Sequence, residues 1–196
     1  MKLFLTSLPL GKVGRSDVDH TVAHRTVMGV FESGMGPNPR SQFGVLFRIE
    51  PEFARILVQS QHPPLPSQIE ALGGQTKAWE AAEIPASERV RYRIDIAALR
   101  RTGKAEKRIP ASDIGTWWIG VARQHGLELE GAVNDHVIGL RDARRASVAL
   151  AQPRLRIARI SGIARVIEPA RLHRAITQGL GRSRAYGCGL LSVTYF

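Results

Sequence analysis

The apolar positions of this chain switch between strand and helix period twice, in the same order each time. Lys2–Leu8 predicts a strand. From Asp19 to Phe31 the residues Val22, Ala23, Val27, Val30 and Phe31 fall near helical spacing, with Asp17 or Asp19 as a cap. GMGPNPR then reads as a loop. SQFGVLFRIE and ARILVQSQ predict two strands joined by a short turn at Pro51, and HPPLP breaks the chain. SQIEALGG predicts a short helix with a glycine stop, and QTKAWEAA a last strand.

EIPASERV reads as a linker, and the pattern then repeats. RVRYRIDIAAL alternates charged and apolar residues as a strand does, and RTGKAEKRI reads as a polar, basic loop. PASDIGTWWIGVARQHG predicts a helix with Ser112 as N-cap, Trp117, Trp118 and Val121 as core candidates, and Gly126 as its stop. LELEGAVNDHVIGL and RLRIARISGIARVIE predict two strands. PARLHRAITQGLG predicts a helix with Pro169 in its first turn and Gly179 at its end, and GCGLLSV the last strand. Each pass runs β-α-β-β-α-β. The expected fold class is therefore α+β, with two tandem ferredoxin-like (RRM-like) domains at residues 1–85 and 86–196.

With 196 residues, 43% of them hydrophobic, the chain can bury a core and is not of the disordered class. The apolar run at the N-terminus is interrupted by Pro9 and Gly11, too short for a membrane span and without a usual cleavage site. A single cysteine, Cys188, excludes an intrachain disulfide and fits a cytoplasmic setting. Its small-residue surroundings predict a buried, inert thiol.

Charge adds a partner. Residues 1–85 hold eight Lys/Arg and eight Asp/Glu, whereas residues 86–196 hold twenty and nine, so the whole net charge of +11 lies in the second half. From Arg141 to Arg184 there are eleven arginines and no lysine, opposed only by Asp142 and Glu168. Such a field attracts polyanions, and guanidinium forks onto phosphate in a way lysine cannot. No basic amphipathic helix with a large apolar face points to a membrane surface instead.

The arginine-rich stretch ends in GLGRSRAYGCGLLSVTYF. Arg184 occupies the third glycine's place of a dinucleotide fingerprint, and no glycine precedes Lys-Ser/Thr as in a Walker loop. A glycine-rich loop between helix and strand can still bring backbone N–H groups to phosphate. The run Gly179–Ser192 resembles the C-terminal glycine-rich loop of the repeat-associated RNA-binding (RAMP) proteins of CRISPR systems, and more narrowly the CasE (Cse3) family of repeat endoribonucleases. TVAHR, Thr21–Arg25, sits where that family carries a short helical motif with histidine in fourth place. Arg108–Pro110, followed by a helix with an early Trp, also fits. The resemblance spans the whole chain.

The resemblance implies two ferredoxin-like domains that bind the stem-loop of a CRISPR repeat and cut precursor RNA at the 3′ base of the stem. It implies no metal or other cofactor, retention of the mature guide RNA, assembly with other Cascade subunits, no membrane, and a monomer when free. Metal-free cleavage uses the substrate's own 2′-hydroxyl as nucleophile and leaves 2′,3′-cyclic phosphate and 5′-hydroxyl ends. The protein must align the attack, move protons and stabilise negative charge.

By match to the motif, His24 is the general base or acid. Its residue-level alternative is a histidine satisfied against its own helix. Thr21 stands where the family often has tyrosine, and His20, one turn before His24 on the same face, is the candidate replacement. Asp17, His20 and His24 could also share a metal, but no outside third ligand is evident. For RNA binding, the family's basic hairpin or loop corresponds here to Arg141, Arg144, Arg145, Arg154, Arg156 and Arg159. Arg182 and Arg184, with Gly179, Gly181, Gly187 and Gly189, form the expected phosphate cradle. Tyr186 reads equally as a base-stacking or a core residue.

Overall fold

The computed structural model describes residues 1–11, 20–32, 39–102, 105–139 and 156–195. Its first half runs β1 (Lys2–Pro9), α1 (His20–Met28), a short α2 (Pro39–Gln42), β2 (Leu46–Glu50), β3 (Arg55–Ser60), α3 (Pro66–Ala71) and β4 (Gln75–Glu80). These strands form an antiparallel sheet in the order β2-β3-β1-β4. Ala23 and Val27 of α1 and Ile69 of α3 pack on Leu8, Phe47, Ile49, Ile56 and Val58, forming the first core.

The second half begins with β5 (Arg89–Ala97), followed by β6 (Leu99–Thr102) and β7 (Ala105–Arg108). α4 (Ile114–Gln124), β8 (Leu127–Gly139), β9 (Arg156–Val166), α5 (Pro169–Gln178) and β10 (Ser192–Tyr195) complete it. Its main sheet has the order β10-β5-β9-β8, which is the same topology as the first when each half is numbered from its own first strand. Val90, Tyr92, Ile94 and Ile96, alternate residues of β5, meet Trp118 of α4 and Leu172 of α5 in the second core. Trp117 and Val121 pack against its margin, so all three helix positions read as core candidates face it. Both halves are thus ferredoxin-like, as the repeated pattern predicts. Among the described residues no helix is long and apolar enough to cross a membrane.

Four local expectations are corrected. RTGKAEKRI is not a loop: β6 and β7 pair antiparallel, Leu99 opposite Arg108 and Thr102 opposite Ala105. Ser112 lies in a 3-10 turn, Ala111–Asp113, and donates its hydroxyl to Asp113 Oδ1 rather than capping α4. The last strand starts at Ser192, because Gly187–Leu191 is held by loop contacts instead of a ladder. Part of SQFGVLFRIE is helical: Ser41 and Gln42 belong to α2, and the strand starts at Leu46. Asp17 and Asp19, the expected caps, lie outside the described residues.

β2 has no exposed residue even though it carries Arg48 and Glu50. Alternation explains why. Phe47 and Ile49 face the first core, so Leu46, Arg48 and Glu50 face the second half of the chain. Leu46 and Leu57 there meet Leu190. Arg48, 2% exposed, donates from Nε (2.9 Å) and Nη2 (2.6 Å) to Glu50 Oε1, and from Nη2 to Ser192 Oγ (3.0 Å). Its Nη1 donates to the carbonyls of Arg93 and Leu190, each at 3.2 Å. Gln59 Nε2 donates to the Ile176 carbonyl at 2.8 Å. One buried arginine of the first sheet therefore satisfies three groups of the second half, on β5, on β10 and in the loop before β10.

Removing one member of such a network leaves a buried charge without its partner. Burial raises the Glu50 pKa, but Arg48 and Arg55 more than offset it, so its folded value lies below the ordinary 4.5. Its contribution is therefore present above that ordinary value and is lost as pH falls through the folded one. Arg48→Ala is expected to lower unfolding stability at neutral pH by about 3–5 kcal/mol. Chemical denaturation checks this, and an unchanged midpoint would contradict the role given to Arg48.

Candidate functional site

α1 buries Ala23 and Val27, and this places His20, Thr21 and His24 toward the half-buried side of the helix. His20 and His24, one turn apart, are neighbours on that surface. A 3-10 turn in the glycine loop, Arg184–Tyr186, packs against α1. His20 Nδ1 lies 2.6 Å from the Tyr186 carbonyl oxygen. A carbonyl only accepts, so Nδ1 carries the proton and the ring orientation is fixed. The loop at the end of the chain and the helix near its start thus form one site.

His24 stands beside Phe47, ring centroids 6.3 Å apart. Its Nδ1 is buried and has no hydrogen-bond partner among the described residues. Burial, and next the positive charge of Arg40, hold the His24 pKa below its ordinary 6.5. At neutral pH its imidazole is therefore uncharged and able to accept a proton.

Arg40 opens the stretch leading into β2 and donates from Nη1 to the Val45 carbonyl at 3.2 Å. Burial and then the charge of Arg184 lower its own pKa. Arg184 folds back on its loop, donating to the carbonyls of Gly181 (3.2 Å) and Gly179 (3.3 Å). Neither arginine has a carboxylate partner among the described residues. A neutral histidine with Arg40 near it, and Arg184 near Arg40, suits proton transfer next to an anion. Arg40 is not legible as a site residue in the sequence: a lone arginine in a Gly/Pro-rich stretch carries no motif.

Three of the four loop glycines have their N–H groups committed within the protein. The N–H groups of Gly179, Gly187 and Gly189 donate to the carbonyls of Ala175, Arg184 and Asp95 and cannot also face a ligand. These glycines serve close packing. A Cβ on Gly179 would lie 2.6 Å from the Leu46 side chain, and one on Gly189 2.4 Å from the Leu180 oxygen. Gly181 lies against Ile96 and Gly187 against Phe47, so the loop is seated on both halves. Cys188 is fully buried, and burial pushes its thiol pKa far up, as its surroundings predict. Tyr186 is 40% exposed and not a core residue.

Of the arginines expected at RNA, Arg141, Arg144, Arg145 and Arg154 lie outside the described residues, and so does the side chain of Arg156. Arg159 makes its bonds within the protein. It donates to both Asp95 carboxylate oxygens (2.9 and 2.8 Å), to the Ile49 carbonyl (2.7 Å) and to Glu52 (3.3 Å). Arg93 pairs with the same Glu52, so both arginines belong to the seam between the sheets. Arg182 is exposed. Among the described residues no three His, Cys, Asp or Glu side chains are placed to hold a metal ion.

In this chain a buried polar seam joins two ferredoxin-like units, and a C-terminal glycine loop docks on the first helix. The chain belongs to the family described as CRISPR associated protein, which it matches over residues 3–194. Its fold is similar to Thermus thermophilus Cse3 bound to an RNA representing a pre-cleavage complex, with a TM-score of 0.77 and 20% identity over 99% of this chain and 100% of that one. It is also similar to Cas6e from Escherichia coli str. K-12, with a TM-score of 0.69 and 16% identity over the full length of both chains. A chain of a CRISPR RNA-guided surveillance complex in a pre-nicking state matches with a TM-score of 0.66 and 26% identity, covering 98% of this chain and all of that one. No curated protein matches the sequence.

Two outcomes are expected. In an NMR titration of the free protein, His24 should titrate below 6.5, and Arg40→Gln should raise its pKa by removing a nearby positive charge. A His24 pKa at or above the ordinary value, unmoved by Arg40→Gln, would contradict the site's electrostatics. Gly189→Ala, at φ +90°, should destabilise the fold by more than about 1 kcal/mol. An unchanged thermal midpoint would contradict the packing role.

Proposed function

We propose that this protein is a metal-independent CRISPR repeat endoribonuclease. It binds the stem-loop of repeats in precursor RNA and cleaves at the 3′ base of the stem. The observation that carries this reading is the uncharged His24 on the face of α1 whose His20 meets the glycine loop, with Arg40 near His24, Arg184 near Arg40, and neither arginine with a carboxylate partner among the described residues. Membership of the CRISPR associated family supports the substrate class. The RNA named with the similar Cse3 structure, and the surveillance complex named with another similar chain, support RNA and other Cascade subunits as partners.

In the proposed mechanism His24 accepts the proton of the 2′-hydroxyl preceding the scissile phosphate. The freed oxygen attacks phosphorus in line. The bond to the 5′-oxygen breaks, leaving a 2′,3′-cyclic phosphate and a 5′-hydroxyl. Arg40 and Arg184 stabilise the additional negative charge on the phosphoryl oxygens. His20, oriented by the Tyr186 carbonyl, is the second polar group of the helix face and assists proton transfer to the leaving oxygen. Thr21 shares that helix face and supplies a hydroxyl, without the phenol that the family often places there.

His24→Ala is expected to reduce the single-turnover cleavage rate of a repeat RNA by about 10²–10⁴-fold while RNA binding persists. His20→Ala should lower the rate less. Equal rates for wild type and His24→Ala would defeat the proposal, and wild-type rates for His20→Ala would remove the role given to His20. Tight repeat binding by the wild type with no cleavage at all would instead mark a non-catalytic RNA-binding subunit.

A further inference from the structure

A second cluster of positive and amide donors lies outside the His24 site. The end of α4 and the outer face of α5 enclose an open cleft of about 290 Å³. Arg171, Arg174 and Gln178 of α5, Gln124 and His125 at the end of α4, and Gly179 line it. Among the described residues no carboxylate lines it. Arg171, Arg174 and Gln178 are exposed and follow helical spacing along one stripe. Neither arginine has a carboxylate partner among the described residues, unlike Arg89, Arg93, Arg159 and Arg165 of the same half. Burial and then the charge of Arg171 hold the His125 pKa down, as expected where positive potential is not compensated.

The position of the cleft narrows what would fill it. Gly179 lines the cleft, and its carbonyl accepts from the Arg184 guanidinium, which lies near Arg40. A chain of phosphates passing Arg40 and Arg184 would next meet Arg171 and Arg174. An isolated small anion would gain little from this continuity, whereas a phosphodiester chain gains contacts at a fixed spacing. Glutamine amides beside guanidinium groups suit flexible backbone contacts more than the reading of a base edge.

We propose that the cleft between α4 and α5 binds phosphodiesters of the single-stranded RNA that flanks the cleaved bond, continuing the track from the His24 site past Gly179. The inference rests on the proposed function and concerns a surface that reading does not use.

The test measures binding of two RNAs carrying a 2′-deoxy group at the scissile nucleotide, so that affinity is read without turnover. One is the repeat with its single-stranded flanks, and the other is trimmed to the stem-loop. Arg171→Ala/Arg174→Ala should weaken binding of the flanked RNA roughly tenfold. It should also reduce the slope of log K against log salt by about 0.7 for each phosphate that the variant no longer neutralises. The trimmed RNA should bind wild type and variant equally. Arg171→Lys/Arg174→Lys, which keeps the charges, should retain most of the salt slope and controls for folding.

An unchanged affinity and slope for the flanked RNA would overturn the proposal. So would an equal loss on the trimmed stem-loop, which would place the stem in the cleft. Failure of the wild type to prefer the repeat stem-loop over unrelated hairpins would overturn the underlying reading, and this one with it.

Discussion

Everything that makes the site possible depends on a guanidinium buried between two sheets. Arg48 belongs to the first sheet, yet it donates to Ser192 and to the carbonyls of Arg93 and Leu190 in the second half. Arg159 reaches the other way, from the second sheet to the Ile49 carbonyl and Glu52. Directional bonds of this kind set an angle between two bodies more narrowly than apolar contact does, because each unmet donor in a dry seam is costly. With that angle set, the loop before β10 lies over Leu46 and Phe47, and its 3-10 turn reaches α1. His20 then meets the Tyr186 carbonyl of a loop that lies 166 residues away in sequence.

The arrangement also explains why net charge alone is a poor guide to binding surfaces. The excess of +11 lies in the second half, but several of its arginines are neutralised locally. Arg89 and Arg165 pair with Glu130, Arg93 with Glu52, and Arg159 with Asp95. Among the described residues, the cations without a carboxylate partner include Arg40, from the half with no net charge, and Arg184, Arg171 and Arg174 along α5 and the loop after it. Unpaired charge, more than total charge, marks where a polyanion gains from contact.

Both ferredoxin-like units are legible in the sequence because each has one buried face, and one buried face produces a readable period. The seam is not. VLFRIE reads only as a strand, and nothing in its own pattern shows that the face carrying Arg48 and Glu50 is covered by the second half of the chain. The glycine loop is legible as a loop, but its glycines read as a phosphate cradle because their steric constraint comes from Leu46, Ile96, Phe47 and Leu180, which the loop meets only once folded. His24 is found through a short motif. Arg40, which helps to hold its pKa down, is adjacent only in space. The basic hairpin β6–β7 escapes sequence reading for a simpler reason: a largely polar stretch with little apolar alternation carries almost no strand signal.

The central claim is that this site drives attack by a 2′-hydroxyl using proton transfer and fixed positive charge. It is tested most directly by incubating the wild-type protein with its repeat RNA in the presence of EDTA, comparing an all-ribose strand with one carrying a single 2′-deoxy group at the scissile nucleotide. The account predicts undiminished cleavage of the first, with 2′,3′-cyclic phosphate and 5′-hydroxyl ends, and none of the second. Cleavage of the 2′-deoxy strand at the same bond, or loss of all cleavage in EDTA, would contradict it.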